Sequence, residues 1–153
     1  MKYSFDYEIN KADKYAIEEH LLKCSDSFIP PLETYVEIPR YAEKLEKYAD
    51  TFEAWYNGSL VSLIACYLNN IENKKGFITN VSTLPLYQGK KISSKLFQEL
   101  LNFVKDKNFD ILSLEVNKLN NHAITFYKKK GFKINSELST KEAFHMFLNL
   151  NIK

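Results

Sequence analysis

Two segments of the sequence combine residue types and spacings that could do chemistry. The first covers residues 88–94, QGKKISS, a polar, lysine-rich loop that leads into an amphipathic helix. The first N–H groups of a helix have no partner within the helix, and the helix dipole favours negative charge there. Gly89 leaves part of the backbone unobstructed, and Lys90 and Lys91 can reach a phosphate as cations. On its own residues the loop is interpreted as a solvated turn that caps a helix, with a phosphate site as the alternative.

The second segment, residues 114–132, reads LEVNKLNNHAITFYKKKGF and contains side chains suited to proton transfer. Glu115 stands on a predicted strand, five residues before Asn120 and twelve before Tyr127. A carboxylate can accept a proton, and a phenol, with a pKa of about 10, can donate one at neutral pH. Each residue also has a purely structural interpretation: Glu115 as a surface carboxylate paired with a lysine, Asn120 as a helix N-cap, and Tyr127 as a core aromatic.

Seven strands and four helices are predicted around these segments. The strands are identified by alternation of apolar and polar residues, and the helices by apolar residues at helical spacing. Asn57 and Gly58 predict a type I′ turn between two antiparallel strands, and Gly131 is placed to end the last helix in the left-handed conformation. The strands are predicted at residues 3–9, 51–56, 59–68, 76–81, 111–116, 132–137 and 144–150, and the helices at about 13–22, 39–49, 92–106 and 121–130.

The strand at residues 111–116 and the loop at residues 25–39 are both expected to border a binding cleft. Alternation in the strand at residues 111–116 places Glu115 on the side opposite Leu114 and Val116, which form the apolar side, so Glu115 is expected to face a cleft or solvent. Residues 25–39, SDSFIPPLETYVEIP, contain three prolines and no regular period. That composition predicts an ordered loop rather than a strand, and the loop is a candidate substrate wall.

Composition narrows the classes of protein and partner. The 153 residues, 45% of them apolar, suffice for one domain with a core. The 21 basic and 19 acidic residues are interspersed, so nucleic acid is not expected as a partner. Cys24 and Cys66 lack metal-binding spacing, and no run approaches the ~20 apolar residues that span a bilayer. We expect a soluble, cytoplasmic protein with reduced thiols, no metal and no membrane partner.

The order of these elements carries a resemblance. A strand, the loop and helix from residue 88, a second strand and the pattern N-x-x-A-x-x-F-Y-x-K-x-G-F, which begins at Asn120, resemble the GNAT superfamily of acetyl-CoA-dependent N-acetyltransferases. The resemblance covers the order of elements across nearly the whole chain and is specific from about residue 76 to 132. It implies a single domain over residues 1–153, with a GNAT-like α/β (α+β) fold. Its mixed, mostly antiparallel sheet of about seven strands would be flanked by about four helices.

The same resemblance implies roles for individual residues. The loop would bind the pyrophosphate of acetyl-CoA, and the strand from residue 76, extended to Thr83, would pair through its backbone with the pantetheine arm. Tyr127 would protonate the leaving thiolate. Glu115 would be the general base, because Phe77 occupies the family's other base position; a water route through Asn80 or Ser82 is the alternative. The implied cofactor-binding residues are Val81, Thr83, Gln88, Gly89, Lys90, Lys91, Ile92, Ser93, Ser94, Asn120 and Tyr127.

Two loop residues depart from the family signature Q/R-x-x-G-x-G/A. Lys91 stands where the family has Gly, and Ser93 stands where it has Gly or Ala. If the Gly is needed for positive φ, Lys91 carries a strain of about 1–2 kcal/mol. If it is needed only for space, the Lys91 side chain can point to solvent. The Ser93 hydroxyl can donate a hydrogen bond to a pyrophosphate.

The acceptor is expected to be a small molecule with a primary amine, such as an amino sugar, an amino acid or an antibiotic. Phe28, Pro31, Tyr35, Arg40 and Tyr41 are the predicted substrate-binding residues, on and just after the proline-rich loop. A peptide or protein N-terminus is the alternative acceptor. A non-catalytic module that binds coenzyme A or another protein is the alternative from a different class, and a homodimer is left open.

Overall fold

A computed structural model describes residues 4–151 as one seven-stranded sheet with four α-helices. The strands are β1 (Asp6–Ile9), β2 (Asp50–Tyr56), β3 (Ser59–Asn70), β4 (Lys75–Thr83), β5 (Ile111–Asn117), β6 (Lys133–Asn135) and β7 (Ala143–Asn149). The helices are α1 (Lys14–Cys24), α2 (Ile38–Tyr48), α3 (Ile92–Asp106) and α4 (Asn121–Lys129). The strand order is β1-β2-β3-β4-β5-β7-β6, and the β4–β5 pair is parallel whereas the other pairs are antiparallel. The predicted fold class is confirmed.

Most predicted boundaries hold to within two residues. The exception is β1, which begins at Asp6 rather than at residue 3, a position outside the described residues. The turn at Asn57 and Gly58 has the predicted positive φ angles, 49° and 76°, and Gly131 follows α4 with φ 99°. Residues 25–37 form no strand and contain two short 3-10 turns, as the prolines predicted. No helix within residues 4–151 is long and apolar enough to cross a bilayer.

Apolar side chains cover both faces of the sheet. On one face, here called the α3 face, buried residues of α3 and α4 pack on strand residues that include Leu112, Leu114 and Val116. On the opposite face, the α1 face, α1 and α2 pack on Leu63 and Ala65 of β3. Since burial of apolar area is the main stabilising term, each helix pair is held by its own apolar layer.

The strands β4 and β5 pair over a short length and then part. Their ladder joins residues 75–77 of β4 to residues 111–113 of β5, although β4 continues to Thr83 and β5 to Asn117. Beyond the ladder, residues of both strands line a common opening. This opening is where the fold can admit a ligand between two strands of its sheet.

A β-bulge in β4 lies at the start of that opening. Asn80 pairs with Ala65, whereas the preceding paired residue of β4 is Ile78, so Thr79 is the extra residue. The Tyr41 hydroxyl donates to the Thr79 carbonyl oxygen at 3.0 Å and lies 2.7 Å from Thr79 Oγ1. Helix α2 therefore stabilises the bulge through Tyr41.

The start of α1 is held to the sheet by the buried carboxylate of Glu53 on β2. The backbone N–H of Ala12 lies 3.2 and 3.0 Å from its two oxygens, Thr51 Oγ1 donates at 2.6 Å, and Trp55 Nε1 donates at 2.9 Å. Glu53 is fully buried. Because a buried carboxylate is stable only when its oxygens are hydrogen-bonded, these donors fix the chain that leads into α1.

Replacing Glu53 by Gln should lower the free energy of unfolding by about 2 kcal/mol, because a Gln NH2 group would face donors rather than acceptors. The midpoint of urea denaturation measures this change. Glu43→Gln is the matched control, since Glu43 is exposed and pairs only with Lys14 at 3.6 Å; it should change stability by less than about 1 kcal/mol. Equal midpoints for the two variants would contradict this account of α1.

Candidate active site

A cleft of about 680 Å³ lies where β4 and β5 part. Residues from both faces of the sheet line it. From the α3 face come the residues that lead into α3 and one side of α4, and from the α1 face come Cys24 and part of the loop between α1 and α2. The cleft therefore passes through the sheet and is open to chemistry from two sides.

The loop before α3 has the backbone shape expected of an anion cradle. Gly89 has φ 77°, and Lys91, the residue that precedes the helix, has φ 63° and ψ 19°. Lys91 makes no side-chain cap to α3, so the first N–H groups of this 15-residue helix are free of a capping side chain. Of the two alternatives for Lys91, the structure shows the strained one: a lysine in the left-handed conformation.

Hydrogen bonds tie this loop to the end of β4. Thr83 Oγ1 lies 3.0 Å from Ser93 Oγ and 2.7 Å from Ser62 Oγ, and Gln88 Nε2 donates to the Thr83 carbonyl oxygen at 3.2 Å. Lys90 does not line the cleft, although it belongs to the same loop. The predicted cofactor residues that line the cleft are Val81, Thr83, Gln88, Gly89, Lys91, Ile92, Ser93, Ser94, Asn120 and Tyr127.

Lys130 also belongs to this neighbourhood, although it is not among the predicted site residues. Its Nζ donates to Ser94 Oγ at 3.0 Å and lies 5.3 Å from the centre of the Phe126 ring. The end of α4 thereby brings a cation to the first turn of α3. The helical spacing of Lys130 to Tyr127 was visible in the sequence, but its contact with Ser94 depends on how α4 packs against α3.

Tyr127 combines the two interpretations that the sequence left open. Its ring packs in the core of the α3 face, with ring centres 5.6 Å from Phe126, 5.9 Å from Phe132 and 6.1 Å from Phe97. The residue nevertheless lines the cleft. Burial raises the pKa of Tyr127 above its usual value, so the phenol keeps its proton at neutral pH.

Glu115 lies on the opposite face of the sheet from Tyr127. Leu114 and Val116 are buried in the α3 face, so Glu115, between them on β5, points to the α1 face, as its alternation predicted. It is exposed and lines the cleft. Among the described residues no lysine pairs with it, so the structure gives no support for a surface ion pair.

Asn120 is the N-cap of α4 and also borders the cleft. Its Oδ1 accepts a hydrogen bond from the Ala123 N–H at 3.2 Å, which is the structural role that the sequence predicted. The NH2 group of the same amide is not used by this cap. Capping and contact with a ligand are therefore compatible.

The predicted substrate residues divide into two groups. Phe28 and Tyr35 line the cleft on the α1 face, together with Ile29, whereas Pro31, Arg40 and Tyr41 do not. The Arg40 side chain is 87% exposed, and its Nε lies 3.1 Å from Glu37 Oε2. Tyr41 supports the bulge at Thr79, as described above. The sequence showed helix and loop positions, but not which side chains would turn toward the sheet.

A buried polar cluster on the α1 face was also missed. His20 Nδ1 lies 2.9 Å from the Leu60 carbonyl oxygen, and its Nε2 lies 2.9 Å from Ser82 Oγ and 3.7 Å from Cys24 Sγ. Burial lowers the pKa of His20 to about 4, and burial raises the pKa of the Cys24 thiol to about 12. Both side chains are therefore neutral at pH 7. No cluster of three or more potential metal ligands occurs within residues 4–151.

Comparison with known proteins identifies the family. A model of the acetyltransferase (GNAT) family matches residues 14–132. The chain belongs to this family. Its GNAT fold agrees with the solved structure of a PaiA N-acetyltransferase from Thermoplasma acidophilum in complex with coenzyme A, which has a TM-score of 0.72 and 18% identity and covers 94% of this chain and 99% of that one.

Two curated GNAT relatives are more similar in sequence. A probable N-acetyltransferase, san, of Drosophila melanogaster is 36% identical over 123 residues, which are 74% of this chain and 64% of the relative. N-alpha-acetyltransferase 50 of Danio rerio is 32% identical over 94 residues, 60% of this chain and 54% of that protein. The chain thus spans less than two thirds of either curated relative.

The cleft fits the cosubstrate of the GNAT family, acetyl-CoA. Beyond residue 77 the β4 backbone is not paired with β5, so its edge can receive the amides of a pantetheine arm. The positive φ angles at Gly89 and Lys91 shape a loop that runs into the start of α3, where backbone N–H groups can bind a pyrophosphate. The residues present therefore suit the coenzyme along the length of the cleft.

Replacing Lys91 by Gly should raise the free energy of unfolding by about 1 kcal/mol, because Gly adopts positive φ without steric cost. For a chain of this size that change corresponds to a melting temperature about 2–4 °C higher. Lys90→Gly is the matched control: it removes the same charge from the neighbouring position, where φ is not positive, and should lower stability slightly. If Lys91→Gly melts no higher than the wild type, the left-handed lysine is not a source of strain.

Acid should destabilise the protein through His20. The pKa of His20 is about 4 in the folded state and about 6.5 when exposed, so below pH 6.5 the unfolded state binds a proton that the folded state refuses. The stability due to neutral His20 is complete above pH 6.5 and falls by roughly 3 kcal/mol as the pH drops to 4. The measurement is urea denaturation from pH 7 to pH 4, for the wild type and for His20→Gln.

The expected result is a steeper loss in the wild type than in His20→Gln. His122→Gln, at a histidine that is exposed in the folded protein, is measured alongside as the control. Parallel curves for the wild type and His20→Gln would show that His20 is not the group that titrates.

Proposed function

We propose that this protein transfers the acetyl group of acetyl-CoA to a primary amine. The observation that carries the proposal is the placement of Glu115 and Tyr127 on opposite faces of the sheet, both lining the opening between β4 and β5. Acetyl-CoA supplies an acetyl thioester, whose thiolate is the leaving group. A direct transfer needs one group that accepts a proton from the amine and another that donates a proton to the thiolate.

Tyr127 suits the role of proton donor. Its pKa is raised by burial, so the phenol is protonated at the pH of the reaction and can donate to a thiolate within the cleft. Its ring is held by three aromatic neighbours, which fixes the direction of the hydroxyl. Packing around Tyr127 thus favours both the position of its hydroxyl and its protonated state.

Glu115 suits the role of proton acceptor. As an exposed carboxylate on the α1 face, it can take the proton of an approaching ammonium directly or through a water molecule. Asn80 and Ser82 line the same side of the cleft and offer the alternative water route. Phe77, on β4, cannot accept a proton.

The charges of the cleft favour an acceptor molecule that has no carboxylate next to its amine. The described residues that line it include one carboxylate, Glu115, and one lysine, Lys91, which belongs to the phosphate loop; a histidine, His122, lies at the start of α4. The α1 side of the cleft therefore offers an anion to an ammonium but no lysine or arginine to a carboxylate. A free amino acid would bury its carboxylate without a partner, whereas an amino sugar or an aminoglycoside-like antibiotic would not.

A peptide N-terminus is the second candidate acceptor. One of the curated relatives is named an N-alpha-acetyltransferase, and the α-amine of a peptide also lacks an adjacent carboxylate. The loop residues Phe28, Ile29 and Tyr35 offer apolar surface to a first side chain. The charges of the cleft therefore suit both amino sugars and peptide N-termini, but not free amino acids.

The direct experiment is an acceptor panel with acetyl-CoA, read by thiol release and by mass spectrometry of the products. The panel contains glucosamine, an aminoglycoside, phenylalanine, phenylalaninamide and a short peptide. Phenylalaninamide should exceed phenylalanine at least tenfold in kcat/KM when both are compared at equal concentrations of free amine. Failure of acetyl-CoA to raise the melting temperature at millimolar concentration, with no product from any amine, would exclude the proposed activity.

The two proposed catalytic residues should differ in their dependence on pH. Tyr127→Phe should keep coenzyme binding, because the ring survives, and should lose about 10²–10⁴-fold in turnover at every pH. Glu115→Gln should recover much of its lost turnover as the pH rises, because the amine then loses its proton to the buffer. Initial rates from pH 6.5 to 9.5 test this contrast.

Matched surface variants control for unspecific effects. Glu142→Gln removes an exposed carboxylate, and Tyr15→Phe removes the hydroxyl of an exposed tyrosine. Both should keep wild-type rates across the pH range. Near wild-type turnover of Tyr127→Phe and Glu115→Gln at pH 7 would remove both residues from the mechanism.

A further inference from the structure

A chain of buried hydrogen bonds runs from helix α1 to the cleft, and the proposed chemistry gives no role to its histidine. It consists of the Leu60 carbonyl oxygen, His20, Ser82 and Asn80, with successive separations of 2.9, 2.9 and 2.7 Å. His20, Ser82 and Asn80 are 1%, 7% and 3% exposed. This chain, here called the His20 relay, is therefore almost entirely removed from solvent.

The His20 relay lies at the border between an apolar layer and the acceptor side of the cleft. Ser82 and Asn80 pair with Leu63 and Ala65 of β3, which belong to the apolar layer under α1 and α2. Ser82 and Asn80 nevertheless line the cleft. Because buried polar groups in such a layer are costly unless they are hydrogen-bonded, the relay has little freedom to rearrange.

The partners of His20 determine where its proton lies. A carbonyl oxygen can only accept, so the proton of the neutral ring is on Nδ1 and is donated to Leu60. Nε2 then has a lone pair and no proton. Ser82 Oγ, at 2.9 Å, must donate its proton to Nε2. The weakly donating Cys24 thiol, at 3.7 Å, is the more distant neighbour.

This assignment requires the Asn80 amide to be turned by 180° from its placement in the structure. The structure has Asn80 Oδ1 2.7 Å from Ser82 Oγ, with Ser82 as the donor. In that orientation His20 Nε2 would have to donate to Ser82, and both ring nitrogens would carry protons, which makes a buried cation with no carboxylate among its hydrogen-bond partners. The amide occupies the same volume in either orientation, so the neutral arrangement, in which the Asn80 NH2 group donates to Ser82, is the stable one.

We propose that His20 is a positioning residue for the acceptor amine, acting through Ser82. By holding the Ser82 proton, His20 leaves Ser82 Oγ no proton to offer to a ligand in the cleft, while the lone pair that does not accept from Asn80 can still accept. An amine N–H can then donate to Ser82, which leaves the nitrogen lone pair free to attack the thioester. A Ser82 hydroxyl that was free to donate would instead occupy that lone pair. This inference rests on the proposed amine acetylation.

The kinetic test uses variants that separate accepting a hydrogen bond from accepting a proton. In His20→Gln the side-chain N–H can donate to Leu60 and the carbonyl can accept from Ser82, but the amide cannot take up a proton. It should keep kcat/KM for the acceptor within about threefold. His20→Leu and Ser82→Ala should each raise the acceptor KM about tenfold, the equivalent of one lost hydrogen bond, and leave the KM for acetyl-CoA unchanged.

The double variant His20→Leu/Ser82→Ala should be no worse than either single variant, since both act on the same hydrogen bond. Ser82→Ala keeps the test usable if His20→Leu fails to fold. Loss of kcat in His20→Gln would overturn the proposal, because it would make His20 a proton acceptor. Unchanged acceptor KM in folded Ser82→Ala would overturn it as well.

A spectroscopic test is independent of turnover. Nitrogen NMR of the free protein should show His20 as a neutral ring protonated on Nδ1 from pH 8 to pH 5.5, and Ser82→Ala should shift its Nε2 signal. A cationic ring, or one protonated on Nε2, would refute the inference even in an active enzyme. The expected ring signals in a protein that acetylates no amine would instead reject the proposed function, and the role of His20 with it.

Discussion

The parting of β4 from β5 is the constraint on which the rest of the site depends. A parallel ladder that ends after three residue pairs leaves the following backbone of β4 without a partner on that side. Such an edge is costly inside a sheet unless another chain of amides, or water, satisfies it. The same parting opens a passage between the α1 face and the α3 face. One interrupted ladder thus leaves both an unpaired strand edge and an opening that is lined from both faces of the sheet.

On the two faces of the sheet, different interactions hold the residues around the cleft in place. On the α3 face, aromatic packing fixes Tyr127, and the phosphate loop is shaped by backbone dihedrals at Gly89 and Lys91. On the α1 face, buried hydrogen bonds hold the structure in place: Glu53 fixes the start of α1, and Tyr41 supports the bulge at Thr79. The contacts that fix the α1 face are therefore directional, whereas those on the α3 face depend on the fit of apolar side chains.

Much of the fold was predictable because local rules and global packing agree. Alternation along β5 was sufficient to place Glu115 away from the core, and the turn at Asn57 and Gly58 needed only its positive φ angles. The lysine at position 91 left two alternatives, and only the backbone of the folded loop distinguishes them. The chemical roles of Glu115 and Tyr127 stay predictions.

The α1 side of the cleft was not predictable in the same way. His20 meets Leu60 and Ser82, which are 40 and 62 residues away in the chain, so no sequence spacing signals the contact. Arg40 was predicted to bind substrate because of its fixed guanidinium fork, yet the turn of α2 directs it to Glu37. Side-chain direction at a helix start depends on how the helix docks, which the order of residues alone does not specify.

If Tyr127 is the proton donor, its burial has a consequence for how the enzyme would be reset between turnovers. Glu115 is exposed and could return a proton to bulk water directly, whereas a buried Tyr127 phenolate would have to regain its proton through the cleft that the residue lines. A coenzyme product in that cleft would keep water from the phenolate. Departure of the product and recovery of the proton would then be linked, and an empty cleft would be a precondition for the next cycle.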